Sequence, residues 1–181
     1  KVALDAPAAD YAPGIGASGL LHDFDAEGQP LTRPPVRPVT VRHLLTHTSG
    51  YREFLNALAV GGWRMEDGEV IRPDEALRVV QSQPALQNLP GAEWNYNNTG
   101  YLLLAQVVEK ATGRPFTRWV EEEVFAPLAM HDTGFRTAPD QVIPHGAYGY
   151  RPLPGAPAPA PWREAPDVGP AIGAGSLYSP L

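Results

Sequence analysis

Proline and glycine decide where this chain can be regular. The 181 residues include 21 prolines and 18 glycines, and these breakers crowd the two ends. Pro7, Pro13, Gly14, Gly16, Gly28, Pro30, Pro34, Pro35 and Pro38 interrupt residues 1–38, and proline and glycine dominate again from Pro139 onward. Proline removes a backbone donor and fixes φ, and glycine has the most conformational freedom to lose, so neither end suits a long helix. Within the first stretch, Asp25-Ala-Glu-Gly28 reads as a turn joining two short extended pieces. Toward the other end, Leu153-Pro-Gly-Ala-Pro-Ala-Pro-Ala-Pro161 reads as a polyproline-like connector rather than a strand.

Helices are expected between these ends. Thr40 is the N-cap of a short helix through His47 that Gly50 closes. Residues 51–62 carry a second helical piece with Phe54, Leu55, Leu58 and Ala59 on one face and Gly61-Gly62 at its end. Pro73 suits a first helical turn, and Asp74 and Glu75 suit the positive end of its dipole. Ala76, Leu77, Val79 and Val80 form the apolar stripe of that helix, which stops before Pro84. After the turn Leu89-Pro90-Gly91, a helix from about Thr99 to Ala111 follows from Tyr101, Leu104, Ala105, Val108 and Ala111 at spacings of three and four. Gly113 supplies its left-handed stop, with Pro115 just beyond. A last helix spans Pro115 to Phe125, with Phe116, Trp119, Val120 and Val124 inward and Glu121-Glu122-Glu123 solvated. The strands are too few for a complete sheet, and there is no internal repeat.

Length and composition fit one globular domain: 43% of residues are hydrophobic and 19% charged. A net charge of −6 with scattered basic residues excludes a phosphate-binding surface, so no nucleic-acid partner is expected. The absence of cysteine removes disulfides, thiolate metal sites and a cysteine nucleophile. No apolar run approaches the roughly 20 residues of a membrane span. Lys1-Val-Ala-Leu-Asp-Ala-Pro7 lacks a signal-peptide core, and both termini are abrupt, so truncation at both ends is expected.

Four places invite chemistry. His43 and His47 share an i,i+4 spacing, but Leu44 stands where a zinc-binding His-Glu-x-x-His requires glutamate. His43 is therefore expected to be partly exposed, and His47 to hydrogen-bond a nearby loop. Ser49 lacks the glycine two residues earlier that a strand-to-helix nucleophile elbow requires, and instead shapes the helix exit. Tyr96 lies in a polar turn ahead of the strongest helix. Asn98, beside it, has an ordinary role open to it as that helix's N-cap.

Four blocks together narrow the choice. Val39-Thr-Val-Arg-His-Leu-Leu-Thr-His-Thr-Ser-Gly50, Leu89-Pro-Gly-Ala-Glu-Trp-Asn-Tyr-Asn-Asn-Thr-Gly-Tyr-Leu-Leu-Leu104, Val124-Phe-Ala-Pro-Leu-Ala-Met-His-Asp-Thr-Gly-Phe135 and Gly173-Ala-Gly-Ser-Leu-Tyr-Ser179 stand in the order of, and resemble, the signature segments of the serine β-lactamase-related and penicillin-binding-protein-like family. The resemblance implies an α/β (α+β) fold of the β-lactamase/transpeptidase type. Residues 1–181 would be a partial domain, mostly the helical subdomain with an incomplete sheet. It further implies a serine hydrolase acting through an acyl-enzyme on an ester, amide, β-lactam or D-amino-acid peptide. Tyr96 would relay the nucleophile's proton and Asn98 would steer a substrate carbonyl. Asn97 stands where the family usually has serine. The resemblance calls for no cofactor and no metal, implies a small-molecule or peptide substrate, and favours the cell envelope or secretion. The alternative is a non-catalytic homologue that binds peptides or acts as a sensor.

Two elements of the chemistry that the resemblance implies are missing from these residues: the Ser-x-x-Lys that carries the nucleophile, and a third element, Lys-Thr-Gly or His-x-Gly, on a sheet edge. Val107 stands three before Lys110 and nothing precedes Lys1, so there is no Ser-x-x-Lys. Lys110-Ala-Thr-Gly113 has one residue too many for Lys-Thr-Gly. The nucleophile is expected upstream of Lys1 and the third element downstream of Leu181. The 181 residues alone are therefore expected to turn over neither nitrocefin nor p-nitrophenyl acetate. Covalent labelling of this chain by a fluorophosphonate, read by intact mass, would contradict that expectation.

Overall fold

The computed structural model describes residues 1–12, 19–35, 37–64, 71–83, 85–138, 140–153, 155, 157–165 and 171–180. Pro13, Gly14, Gly16, Pro84, Pro139 and parts of the 153–161 connector lie outside them. A short 3-10 turn (Ala8–Asp10) precedes β1 (Gly19–Phe24) and β2 (Pro30–Arg33), which pair antiparallel across the expected turn at Asp25–Gly28. Then come α1 (Val41–Leu45), α2 (Phe54–Val60), α3 (Pro73–Gln81), β3 (Ala85–Leu86), α4 (Asn98–Thr112) and α5 (Phe116–Val120). A single π-helical turn (Glu121–Phe125) leads to β4 (Gly134–Phe135), β5 (Tyr150–Pro152), β6 (Trp162–Glu164) and β7 (Leu177–Tyr178). Three small sheets result among the described residues, ordered β2-β1-β3, β4-β7 and β5-β6. Helices and partial sheets thus share the chain as expected.

Local chemistry explains where the helices begin. Thr40 Oγ1 accepts from the His43 N–H at 3.3 Å, and His43 Nδ1 accepts from the Thr40 N–H at 3.1 Å. This is a reciprocal capping box in which an imidazole replaces the usual carboxylate. Burial, and then the Arg37 guanidinium, push the half-buried His43 below the ordinary imidazole range, which suits a ring whose nitrogen must accept. Two more of α1's free N–H groups reach the N-terminal segment: Val41 N donates to Ala6 O at 3.1 Å and Arg42 N to Leu4 O at 2.7 Å. The Arg42 guanidinium adds a two-pronged pair with Asp5 at 2.7 and 3.0 Å. At α3, Glu75 Oε2 accepts from the Arg72 N–H at 3.0 Å, the carboxylate half of a capping box at a helix that starts at Pro73.

α4 is the central element and packs on α1, α2 and α5. Its ends fall as expected, with Gly113 in the left-handed conformation at φ 69°. Its rotation does not. The buried face is Thr99, Gly100, Leu102, Leu103, Ala105 and Val107, whereas Tyr101, Leu104 and Val108 are half-buried and Ala111 is exposed. Tyr101-Leu-Leu-Leu-Ala105 is apolar at every position, so periodicity alone admits more than one stripe. The choice is made by tertiary contact. A Cβ at Gly100 would stand 3.1 Å from the Leu44 carbonyl oxygen, so this face alone lets α4 approach the α1 backbone so closely. Leu44, Phe54, Val80, Leu86, Leu102 and Leu103 then form the heart of the core, which Ala171 joins from the C-terminal segment.

Two further expectations are modified. α2 turns Ala57 partly inward and leaves Ala59 exposed. The helix expected over 115–125 narrows to α5 followed by the π turn, and Phe125 is its one fully buried side chain, against Phe135 at 5.8 Å between ring centroids. Arg114 pairs there with Glu122 and Glu123, and Arg118 with Glu122, on an exposed surface where solvent screening leaves such pairs little to contribute. The proline-rich connector joins two paired strands, β5 and β6, because Tyr150, Arg151 and Pro152 face Glu164, Arg163 and Trp162 across it.

The rotation of α4 can be tested by stability. Leu103→Ala is expected to cost about 2–5 kcal/mol in urea unfolding, and Ala111→Ser less than about 0.5 kcal/mol. Comparable losses at both positions would contradict the packing.

Candidate functional site

The segment from His47 to Phe54 forms a track along which the tyrosine loop is laid. Its entry is set by His47, a non-glycine residue in the left-handed region at φ 57°, a conformation that costs roughly 1 kcal/mol and that histidine tolerates better than most residues. Ser49 is buried, and its hydroxyl accepts from the Tyr51 N–H at 3.3 Å, the turn-shaping role expected of it. Gly50 follows at φ 82°, where any side chain would collide with the Asn88 carbonyl. Backbone bonds then join the two strands of chain at intervals: Gln87 N to Gly50 O at 2.8 Å, Gly91 N to Thr48 O at 2.7 Å and Asn95 N to His47 O at 2.9 Å.

Asn97 closes this arrangement. It is 3% exposed and uses both ends of its amide: Nδ2 donates to Tyr51 O at 2.7 Å and Oδ1 accepts from Gly100 N at 2.8 Å. Its own N–H donates to His47 Nδ1 at 3.1 Å. The N-cap of α4 is therefore Asn97, one residue before the position expected from sequence, and Asn98 is the first residue of the helix. The reason is that only a residue in extended backbone can fold its side chain back onto the third helical amide, and Asn97 has φ −152°, ψ 112°.

Two neighbours lock α2 to α4 end to end. Glu53 caps α2 by accepting from the Leu55 N–H at 3.1 Å, and its other oxygen accepts from the Asn98 N–H in a very short bond. One carboxylate thus serves the positive ends of two helices. Thr99, fully buried, accepts from Phe54 N at 3.1 Å and donates to Arg52 O at 2.7 Å. Neither residue was singled out from sequence. Glutamate is not a usual N-cap, and a threonine inside a helix start carries no sign that it bonds residues 45 and 47 positions away.

Against this fixed frame the Tyr96 side chain is 62% exposed. Its O–H donates to Asn98 Oδ1 at 3.2 Å, and its ring lies 4.8 Å from that of His47. Trp94 and Tyr101 complete an aromatic group about His47, at 6.1 and 5.1 Å. Tyr96 stands on a cleft of about 550 Å³ whose walls also include Arg52, Glu53, Asn56, Val60, Gln87 and Asn95. A larger, more open hollow of about 750 Å³ between α2 and α3 has no titratable group among its described lining residues. Tyr51 offers the contrast: only 5% exposed, its phenol is pushed up to about 12 by burial, which disfavours the phenolate a proton acceptor needs. Tyr96 and Asn98, the two residues picked out from sequence, are hydrogen-bonded to each other, and of the two it is Tyr96 that lines the cleft.

His43 and His47 each use Nδ1 as an acceptor for backbone. α1 ends at Leu45, so His43 and His47 do not share a helical face, and each Nδ1 accepts an amide N–H. Among the described residues no group of three or more His, Asp or Glu side chains could hold a metal, and no helix is long and apolar enough to cross a membrane.

The family profile described as Beta-lactamase matches residues 1–181. A penicillin-binding protein of Bacillus subtilis is 34% identical over 139 residues, covering 73% of this chain and 29% of its own length. An esterase of Burkholderia gladioli is 36% identical over 145 residues, covering 76% and 33%. The solved structure of a D-stereospecific amidohydrolase from Streptomyces superposes with a TM-score of 0.71 at 28% identity, covering 97% of this chain and 49% of that one. The chain thus spans about a third of the length of these curated relatives and about half of the solved chain.

The division of labour between the two asparagines has a measurable consequence. Asn97→Ala is expected to cost about 2–4 kcal/mol, the loss of a cap plus an unpaired buried carbonyl, and Asn98→Ala less than about 1 kcal/mol. Equal losses in denaturant titrations would contradict the assignment of the cap.

Proposed function

The chain belongs to the beta-lactamase family, and we propose that it forms one wall of a serine acyl-transfer site in which Tyr96 relays the proton of the nucleophile. The observation that carries this reading is the contrast at Tyr96: a backbone fixed on both sides, and a phenol left open on a cleft beside an amide. Residues 1–181 would then be part of a longer domain, and the serine and lysine would come from sequence adjoining this chain.

In this reading Tyr96 reacts as the phenolate: the serine oxygen attacks the substrate carbonyl carbon while its proton passes to the Tyr96 phenolate oxygen. The same proton then goes to the leaving alcohol or amine as the carbon–heteroatom bond breaks, giving the acyl-enzyme. Water repeats the sequence in reverse order: its proton goes to Tyr96, and the serine oxygen recovers one as the ester breaks. A phenol has an ordinary pKa near 10, so the relay requires a cation beside it, a role that suits the family's lysine. Asn98 accepts from the Tyr96 hydroxyl through Oδ1, which leaves its Nδ2 amide free to donate to a substrate carbonyl.

The substrates proposed are esters, amides and D-amino-acid peptides, since one relative is an esterase and a solved neighbour is a D-stereospecific amidohydrolase. In the full-length protein, Tyr96→Phe is expected to lower kcat by about 10²–10⁴-fold while KM changes less than about threefold. Steady-state kinetics on p-nitrophenyl esters and D-amino-acid amides checks this. A change confined to KM would make Tyr96 a binding residue.

A further inference from the structure

We infer that His47 is the positioning residue of the tyrosine loop, holding the backbone amides on both sides of Tyr96 and so fixing where the phenol stands. The Asn95 N–H donates to the His47 carbonyl at 2.9 Å, and the Asn97 N–H donates to His47 Nδ1 at 3.1 Å. One residue therefore brackets Tyr96 from before and after, and its ring packs 4.8 Å from the phenol it brackets. The bond to Asn98 lies at the tip of the Tyr96 side chain and leaves the backbone unrestrained.

The bracket has a chemical condition. Nδ1 can accept only while it keeps its lone pair, so His47 must be neutral with its proton on Nε2. An imidazolium carries N–H on both nitrogens, and its Nδ1–H would face the Asn97 N–H, donor against donor. The groups facing the ring are Tyr96 and Trp94 from the loop and Tyr101 from α4. Among the described residues, no carboxylate or cation is hydrogen-bonded or ion-paired to it.

Three substitutions separate positioning from packing. His47→Asn places Oδ1 on the same Cγ that carries Nδ1, tolerates the left-handed backbone and does not titrate. His47→Phe keeps a ring but no acceptor, and His47→Ala keeps neither. In the full-length protein, with thermal unfolding confirming that each variant is folded, the Asn97 amide is expected to exchange at least about tenfold faster in His47→Phe and His47→Ala, and within about threefold of wild type in His47→Asn. The kinetic arm rests on the proposed role of Tyr96: kcat should fall by about tenfold or more in His47→Phe and His47→Ala with KM nearly unchanged, and recover in His47→Asn. Exchange that is unaltered in His47→Phe, or as fast in His47→Asn as in His47→Ala, would overturn the inference. Altered exchange without altered kcat, where Tyr96→Phe does lower kcat, would overturn the positioning role of His47 while leaving the role of Tyr96 standing.

Discussion

The Asn97 side chain joins the two halves of the site, and most of what surrounds it depends on that joint. Its amide carries the Tyr51 carbonyl on one end and the Gly100 N–H on the other. The first bond fixes the loop to the track that leaves α1, and the second starts α4. In a buried setting either group left unpaired would cost on the order of 1–3 kcal/mol, so the joint resists partial opening. With His47 gripping the same residue from its backbone, the loop can expose a tyrosine without becoming loose.

The same logic extends to the helix ends. α2 and α4 meet start to start, a placement that sets two positive dipole ends near each other. Glu53 accepts from both, and Thr99 links Phe54 N to Arg52 O in the space between. The close contact of Gly100 with the Leu44 backbone holds α4 against α1 behind the cleft. A rigid frame with one open phenol is the arrangement that electrostatic and proton-transfer catalysis asks of a protein, since the reacting group need not be ordered at the moment of reaction.

Much of this was legible in the sequence, and the boundary is physical. Thr40, Pro73 and Gly113 act within one turn of themselves, and the helix limits they imply agree with the structure to within a few residues. Tyr96 and Asn98 were picked out because the four sequence blocks stand in family order, and the structure joins them by a hydrogen bond, with Tyr96 on the cleft. The rotation of α4 was not legible, because five consecutive apolar residues admit several stripes and the deciding contact comes from Leu44, more than fifty positions earlier. The cap shifted from Asn98 to Asn97 because two adjacent asparagines are equivalent in composition and differ only in backbone angle. His43 and Glu53 cap helices in roles normally taken by other residue types, so propensity gave no signal. The pairing of β5 with β6 across a proline-rich link was hidden because proline marks the link and says nothing of what it joins.

The central claim is that Tyr96 is held in place to move a proton during acyl transfer. Its most direct test is the pre-steady-state reaction of the full-length protein with p-nitrophenyl acetate, with the acyl adduct followed by intact mass. The account predicts a burst of p-nitrophenol and an adduct in the wild type, with both formation and loss of that adduct slowed together in Tyr96→Phe, because one group serves both half-reactions. An adduct that forms and decays at wild-type rates in Tyr96→Phe would contradict it.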